Sequence, residues 1–206
     1  MATFADNLLT LIKNPTSLAA IIGVLILIAA AMRLRRIKLS TKILVNISLM
    51  LALATILNFI RLYHFPQGGS ITLGAMIPLL MISFRYGAGV GILAGFTFGL
   101  IQILQDPFIL HPIQVLFDYP LPYMAMGFAG LFSSRKIFGT ILAFAGKFAC
   151  HFISGVIFFA SYAPAGTSPI IYSLVTNAAL ILPEAIICYV ILKFLPVQRL
   201  LDAMKD

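Results

Sequence analysis

The sequence predicts an all-α integral membrane protein: six well-formed helical spans with one weaker helix in front of them. Three observations predict it. Hydrophobic residues make up 61% of the 206 residues and charged residues only 10%, with a mean hydropathy of +1.06. A soluble globular chain is about 45–50% apolar and about 25% charged, so one of this size could not cover so much apolar surface. The apolar stretches are also continuous, whereas barrel strands alternate in short segments. Finally, the basic residues collect in every second connection, as the cytoplasmic side of a membrane protein requires.

The elements follow in order. Ser17–Met32 is an apolar run on the short side for a span; extended back to Pro15 it gives about 27 Å. Its basic residues follow the apolar stretch, the reverse of a secretory signal peptide. Ile43–Ile60 is apolar and ends at Arg61. Ile71–Phe84 is short and holds Pro78; Ala88–Leu104 is rich in glycine. Ile113–Phe132 contains Asp118 and two prolines, Ile137–Tyr162 holds Lys147 and His151, and Pro169–Leu195 holds Glu184. Turns are expected at Pro66–Ser70, Arg85–Gly87, Asp106-Pro107, Ser133–Lys136 and Ala163–Pro169. Two units result: residues 1–41 form an extra helix with a basic connection, and residues 42–206 form a six-helix membrane domain.

Charge assigns the sides. The net charge is +8, and Arg33, Arg35, Arg36, Lys38 and Lys42 cluster between two apolar runs. With that cluster inside, the connections 85–87 and 133–136 and the C-terminus are also inside and carry Arg85, Arg135, Lys136, Arg199 and Lys205. The outer connections hold only Arg61. No aromatics interleave with the cluster, so it reads as topology and not as a nucleic-acid surface.

Chemistry of the catalytic kind is missing from the sequence. There is no P-loop and no G-x-S-x-G, and His64, His111 and His151 stand too far apart in sequence to suggest a metal site. No cofactor and no enzymatic activity are expected. Cys150 and Cys188 sit in apolar runs and read as reduced packing residues. Gly87, Gly91, Gly95 and Gly99 recur every four residues and line one helix face, which lets a second backbone approach closely. No half of the chain resembles the other, which disfavours an inverted-repeat carrier.

Ionisable groups within spans carry the most information, because each must face a partner or a cavity. Asp118 lies about 8 Å below the outer end of its helix and His151 about 15 Å below the end of its own. Tyr119, Phe159, Tyr172 and Asn177 share this outer half. One carboxylate among several rings suits a small aromatic cation, through charge, hydrogen bonds and stacking. His151 and Asn177 can equally serve as hydrogen-bonding glue between helices. Tyr172 and Asn177 are about 140° apart on an ideal helix, which argues against one cavity for both. Glu184 follows Pro183 and lies deeper; its pairing with Lys147 is left open.

The motifs Pro66-Gln67-Gly68-Gly69-Ser70, Phe84-Arg85-Tyr86-Gly87 and His111-Pro112-Ile113-Gln114-Val115-Leu116-Phe117-Asp118-Tyr119 resemble the thiamine-specific S components of energy-coupling-factor transporters, the ThiT/YuaJ family. His151-Phe152-Ile153-Ser154-Gly155, Tyr162-Ala163-Pro164-Ala165-Gly166 and Tyr172-Ser173 with Asn177 extend the likeness, over roughly residues 42–195. The resemblance implies a six-helix S-component bundle in the cell membrane, with thiamine captured from outside. It implies ligand-binding roles for Asp118, Tyr119, His151, Phe159, Tyr172 and Asn177. Phe159 falls where some members carry a stacking tryptophan, and this chain has no tryptophan. The implied partners are thiamine, a transmembrane scaffold subunit, two ATPase subunits and the lipid bilayer. The scaffold docks on an alanine-x-x-x-alanine face of the family's first helix, for which Ser48 and Ala52 are the nearest match. The leading helix 17–32 has no counterpart in the usual form. The expected function is vitamin capture for ATP-driven uptake; the alternatives are a stand-alone secondary carrier and an S component for a related pyrimidine.

Overall fold

The computed structural model describes residues 39–66 and 68–204, with Lys13, Ile22, Gly23 and Ile26 as isolated positions before them. The expected helix 17–32, its basic cluster up to Lys38 and nearly all of the unit 1–41 therefore lie outside the described residues. Helix α1 spans Thr41–Phe59, and its first turn is capped by Ser40, whose hydroxyl accepts from the Ile43 amide at 3.3 Å. An antiparallel hairpin follows, β1 Arg61–His64 with β2 Ser70–Thr72, pairing Arg61 with Thr72 and His64 with Ser70.

Helix α2, Ile77–Gln105, is two limbs joined at Gly87, which has φ 83° and ψ 173°. Residues eight apart in a straight helix are about 12 Å apart. Here a Cβ built on Gly91 would lie 2.9 Å from Ser83 Cβ. The chain thus reverses at Gly87, in a conformation that L side chains rarely adopt. The limbs 77–86 and 88–105 are the second and third expected spans. The second differs from expectation at its start, because residues 71 and 72 belong to β2. At ten residues, about 15 Å, the first limb is half the length of a span. It has no need of more: residues 74–84 are buried without exception, so it is an inner element with no lipid face.

The fourth expected span is broken into α3 Pro112–Asp118, α4 Pro120–Met124 and a 3₁₀ stretch Ala125–Phe132. Pro120 and Pro122 remove two amide donors, so a regular helix cannot run through. Helix α5 spans Lys136–Phe158 and ends in a 3₁₀ turn Ala160–Tyr162; α6 spans Pro169–Phe194, and α7 is Val197–Ala203. Among the described residues, α1, α2, α5 and α6 are long and apolar enough to cross a membrane. With the broken fourth segment and the two limbs of α2, the six-helix membrane fold is as expected.

Gly91, Gly95 and Gly99 pack as the spacing predicts, whereas Gly87 departs from the expected helix face: it makes the reversal, and a Cβ there would meet nothing within 4 Å. A Cβ on Gly95 would collide with the Tyr123 and Met124 backbone, and one on Gly99 would lie 2.7 Å from Pro120 Cα. Close backbone contact thus joins the second limb of α2 to the broken segment. These three glycines are therefore committed to the interior.

Connections gather at two ends. Arg61 Nη1 donates to Asp106 Oδ2 at 3.0 Å, and Phe108 meets Tyr162 with ring centroids 6.4 Å apart, which joins the hairpin, the 106–111 connection and the end of α5. At the other end, the Met204 carbonyl accepts from Tyr86 Oη at 2.9 Å, Arg85 Nε at 3.3 Å and Asn46 Nδ2 at 3.4 Å. Lys136 Nζ donates to Gln198 Oε1 at 3.5 Å at the same end. This is the alternation that the charge pattern requires, with the basic connections together.

Candidate ligand-binding site

A cavity opens between the hairpin, the 106–111 connection, α3, α5 and α6, with about 150 Å³ accessible to water-sized molecules. All six residues expected to form a site border it: Asp118, Tyr119, His151, Phe159, Tyr172 and Asn177. Asp118 ends α3, whose first turn is capped by His111 Nδ1 accepting from the Ile113 amide at 3.2 Å. Gln114, one turn before Asp118, donates to its Oδ2 at 2.6 Å. His151 Nδ1 lies 3.4 Å from Asp118 Oδ1. Both side chains are about 15% exposed, so the carboxylate is partly desolvated yet open to the cavity.

Tyr119 contributes differently from expectation. Its hydroxyl donates to the Asp106 carbonyl at 2.8 Å and accepts from the Phe108 amide at 2.6 Å. Its ring borders the cavity while its hydroxyl braces the 106–108 backbone. Phe159 stacks on Phe108, with centroids 5.7 Å apart and planes 22° apart, and forms an aromatic wall. Asn177 Nδ2 donates to the His151 carbonyl at 3.2 Å and to the Ser173 carbonyl at 2.9 Å, fixing α6 against α5. Tyr172 and Asn177 both border the cavity despite their angular separation, five residues or about 7.5 Å apart along α6.

Sequence reading missed several walls. Phe65 and Phe108 come from connections without periodicity, and Asn58 and Gln102 come from α1 and α2. Lys147 and Glu184, whose pairing the sequence left open, form an ion pair of 2.5 Å at the cavity floor. Glu184 Oε1 also accepts from Thr72 Oγ1 at 2.8 Å, and Lys147 Nζ lies 5.3 Å from the Tyr123 ring centroid. Met76 borders this region as well, just ahead of the first limb of α2.

The charges bordering the cavity are three carboxylates, of Asp106, Asp118 and Glu184, and two cations, Arg61 and Lys147. Arg61 is held by Asp106 and Lys147 by Glu184. Asp118 is left without a permanent cation, facing the His151 imidazole and the Gln114 amide. No group of three or more metal-binding side chains occurs among the described residues.

The chain matches the family model described as thiamine transporter protein (Thia_YuaJ) over residues 44–202. It belongs to that family. The match begins past the leading run 17–32. A thiamine transporter ThiT of Bacillus subtilis (strain 168) is 38% identical over 183 residues, covering 79% of this chain and 95% of that protein. A thiamine transporter ThiT of Lacticaseibacillus paracasei is 29% identical over 136 residues, covering 56% and 68%. The solved structure of ThiT from Listeria monocytogenes superposes with a TM-score of 0.66 at 28% identity, covering 73% of this chain and 90% of that one. Family and fold together make this a multi-pass cell-membrane transport protein.

Proposed function

We propose that this thiamine-transporter family member is the thiamine-capturing S component of an energy-coupling-factor transporter, with Asp118, Tyr119, His151, Phe159, Tyr172 and Asn177 as its ligand site. The observation that carries the reading is the carboxylate of Asp118, which no lysine or arginine holds, in a cavity whose other carboxylates are each paired with one. Thiamine carries a fixed positive charge on an aromatic ring. Asp118 supplies the opposite charge in a partly desolvated setting, where a charge-assisted contact is strong. Phe159 and Phe108 offer a flat wall for stacking, in place of a tryptophan. His151 and Asn177 add hydrogen-bonding groups at the same level.

The chain has no ATP-binding loop of the Walker type, so in an ATP-driven transporter the ATPase activity belongs to other subunits. We assign those roles to a membrane scaffold subunit and two ATPase subunits. Ser48 and Ala52 are both exposed, on the face of α1 turned away from the bundle. Small side chains at i and i+4 leave a shallow groove in which a scaffold helix can lie close. This leaves 1–41 as an accessory unit beside the binding domain 42–206.

Two measurements test the reading. Calorimetry on the detergent-purified full chain should show saturable one-to-one binding of thiamine. Uptake in proteoliposomes should need both the scaffold subunit and the ATPases. Uptake by this chain alone would make it a stand-alone carrier.

A further inference from the structure

The inner end of α5 carries a feature that lies far from the ligand cavity and shares no residue with it. Ser134, Arg135, Lys136, Ile137, Phe138 and Ile141 line a shallow cleft on the outside of the bundle. Arg135 is exposed, and its side chain meets no acceptor among the described residues. Lys136 Nζ donates to Gln198 Oε1 at 3.5 Å, a neutral partner that steadies the ammonium without cancelling its charge. Among the described residues, Asp202 is the one carboxylate at this end, and Lys42, Arg85, Lys193 and Arg199 add further positive charge there. One step deeper the surface changes character. Ile137, Phe138 and Ile141 are 59%, 51% and 60% exposed, and Phe138 is held edge-on by Phe132 with ring centroids 4.7 Å apart. The cleft therefore joins two cations that no acid neutralises to an apolar wall that no other part of the described chain covers.

We propose that this cleft binds one anionic phospholipid of the inner leaflet, with its phosphodiester between Arg135 and Lys136 and an acyl chain along Ile137, Phe138 and Ile141. The proposal stands apart from the reading of the cavity as a thiamine site. The dimensions agree with a lipid. Ile141 lies six residues beyond Arg135, about 9 Å along α5. The polar layer on each side of a bilayer is about 5–8 Å thick. A headgroup held at Arg135 thus brings the first methylenes of its chain level with Phe138 and Ile141. Free phosphate would use the cations and leave the wall bare. A zwitterionic lipid would cover the wall but bring its own ammonium toward Arg135. An anionic lipid matches both halves: the guanidinium fork takes two phosphate oxygens and the ammonium takes a third contact. Each basic side chain beside an anionic leaflet favours binding by a factor of about five, so the two together contribute about 25-fold.

The test is native mass spectrometry of the full chain released from neutral maltoside micelles doped with phosphatidylglycerol or with phosphatidylcholine. The parent should retain one phosphatidylglycerol in preference to phosphatidylcholine. Arg135→Gln with Lys136→Gln should weaken that retention about 25-fold, while Arg199→Gln should leave it unchanged. Equal retention of the two lipids by the parent would overturn the proposal. So would an equal loss in Arg199→Gln, because diffuse positive charge would then suffice. Displacement of the lipid by inorganic phosphate at matched concentration would reduce the cleft to a phosphate site and overturn it too. A double variant that keeps its lipid but no longer joins the proposed scaffold subunit would assign this face to that subunit instead. Should the double variant not fold, Arg135→Gln alone removes a side chain with no partner in the described protein and should weaken retention about fivefold.

Discussion

Lys147 Nζ and Glu184 Oε2 lie 2.5 Å apart, almost wholly buried beneath a cavity that receives a cation in our reading. Glu184→Gln would leave an uncompensated ammonium under the ligand. Removing one partner of a buried pair costs about 3–5 kcal/mol. The variant should melt at a lower temperature in detergent and bind thiamine weakly. Replacing both partners, as Lys147→Met with Glu184→Leu, removes the stranded charge and should recover most of the stability. Thermal melts of the single and double variants compare the two. A double variant no more stable than the single one would mean that the pair holds more than itself.

Asp118→Asn should weaken thiamine binding by about 2–4 kcal/mol, because it removes the one carboxylate that no permanent cation holds. Gln114 and His151 can still hydrogen-bond the amide, so the melt should change little. Calorimetry that gives parental affinity in a folded variant would remove Asp118 from the site.

Acid should weaken binding. His151 Nδ1 lies 3.4 Å from Asp118 Oδ1, so a proton gained by the imidazole places a competing cation on that carboxylate. Affinity should therefore be higher at neutral pH than in acid. Titrations between about pH 5 and 8 should show the fall in the parent and a flatter profile in His151→Gln. Identical profiles would place the dependence on another group.

Asp106→Asn frees the Arg61 guanidinium at the cavity mouth. The two side chains are 25% and 40% exposed, so the effect is that of a surface pair, about 1 kcal/mol or less. Thiamine should lose slightly and thiamine monophosphate should gain, so their affinity ratio should fall several-fold. A ratio that stays constant in calorimetry would show that the phosphate does not reach Arg61.

Ser48→Leu with Ala52→Leu should separate two activities. Both residues are exposed in the middle of α1 and neither borders the cavity, so the site is untouched. Binding of thiamine to the isolated variant should match the parent, while ATP-driven uptake in reconstituted vesicles should be lost. Normal uptake would move the docking face to another helix. The glycine row is not a substitute, because it is buried against the broken fourth segment.

Legibility of the site in the sequence followed the cost of burial. Asp118, His151 and Asn177 stood out because a polar group in an apolar run must find a partner, and here they found one another. Asn58 and Gln102 were passed over because amides are less costly to bury and their pairing spans a sequence separation of 44. Phe108 was invisible for another reason: aromatics in a connection carry no period. In the fold, the spans were readable from continuous apolarity, yet the same signal ran through Ile71 and hid β2, a strand of three residues. The turn at Gly87 was legible. That the limb before it is an inner half-helix was not, since hydropathy alone does not distinguish lipid from protein as the surroundings.

That half-helix also insulates the two sides of the membrane. It begins just after Met76, on the border of the cavity, and ends at Tyr86, which is bonded to Met204 at the basic end. Between them residues 77–84 are all buried, among them Leu79, Leu80 and Ile82 at 0% exposure. About 15 Å of dry, close-packed helix thus separates a captured molecule from the far side. Side-chain rotation cannot open a passage through such a plug. Delivery has to move whole helices, or the subunit as a body, and the ATP-driven partner subunits we propose would supply the work for that.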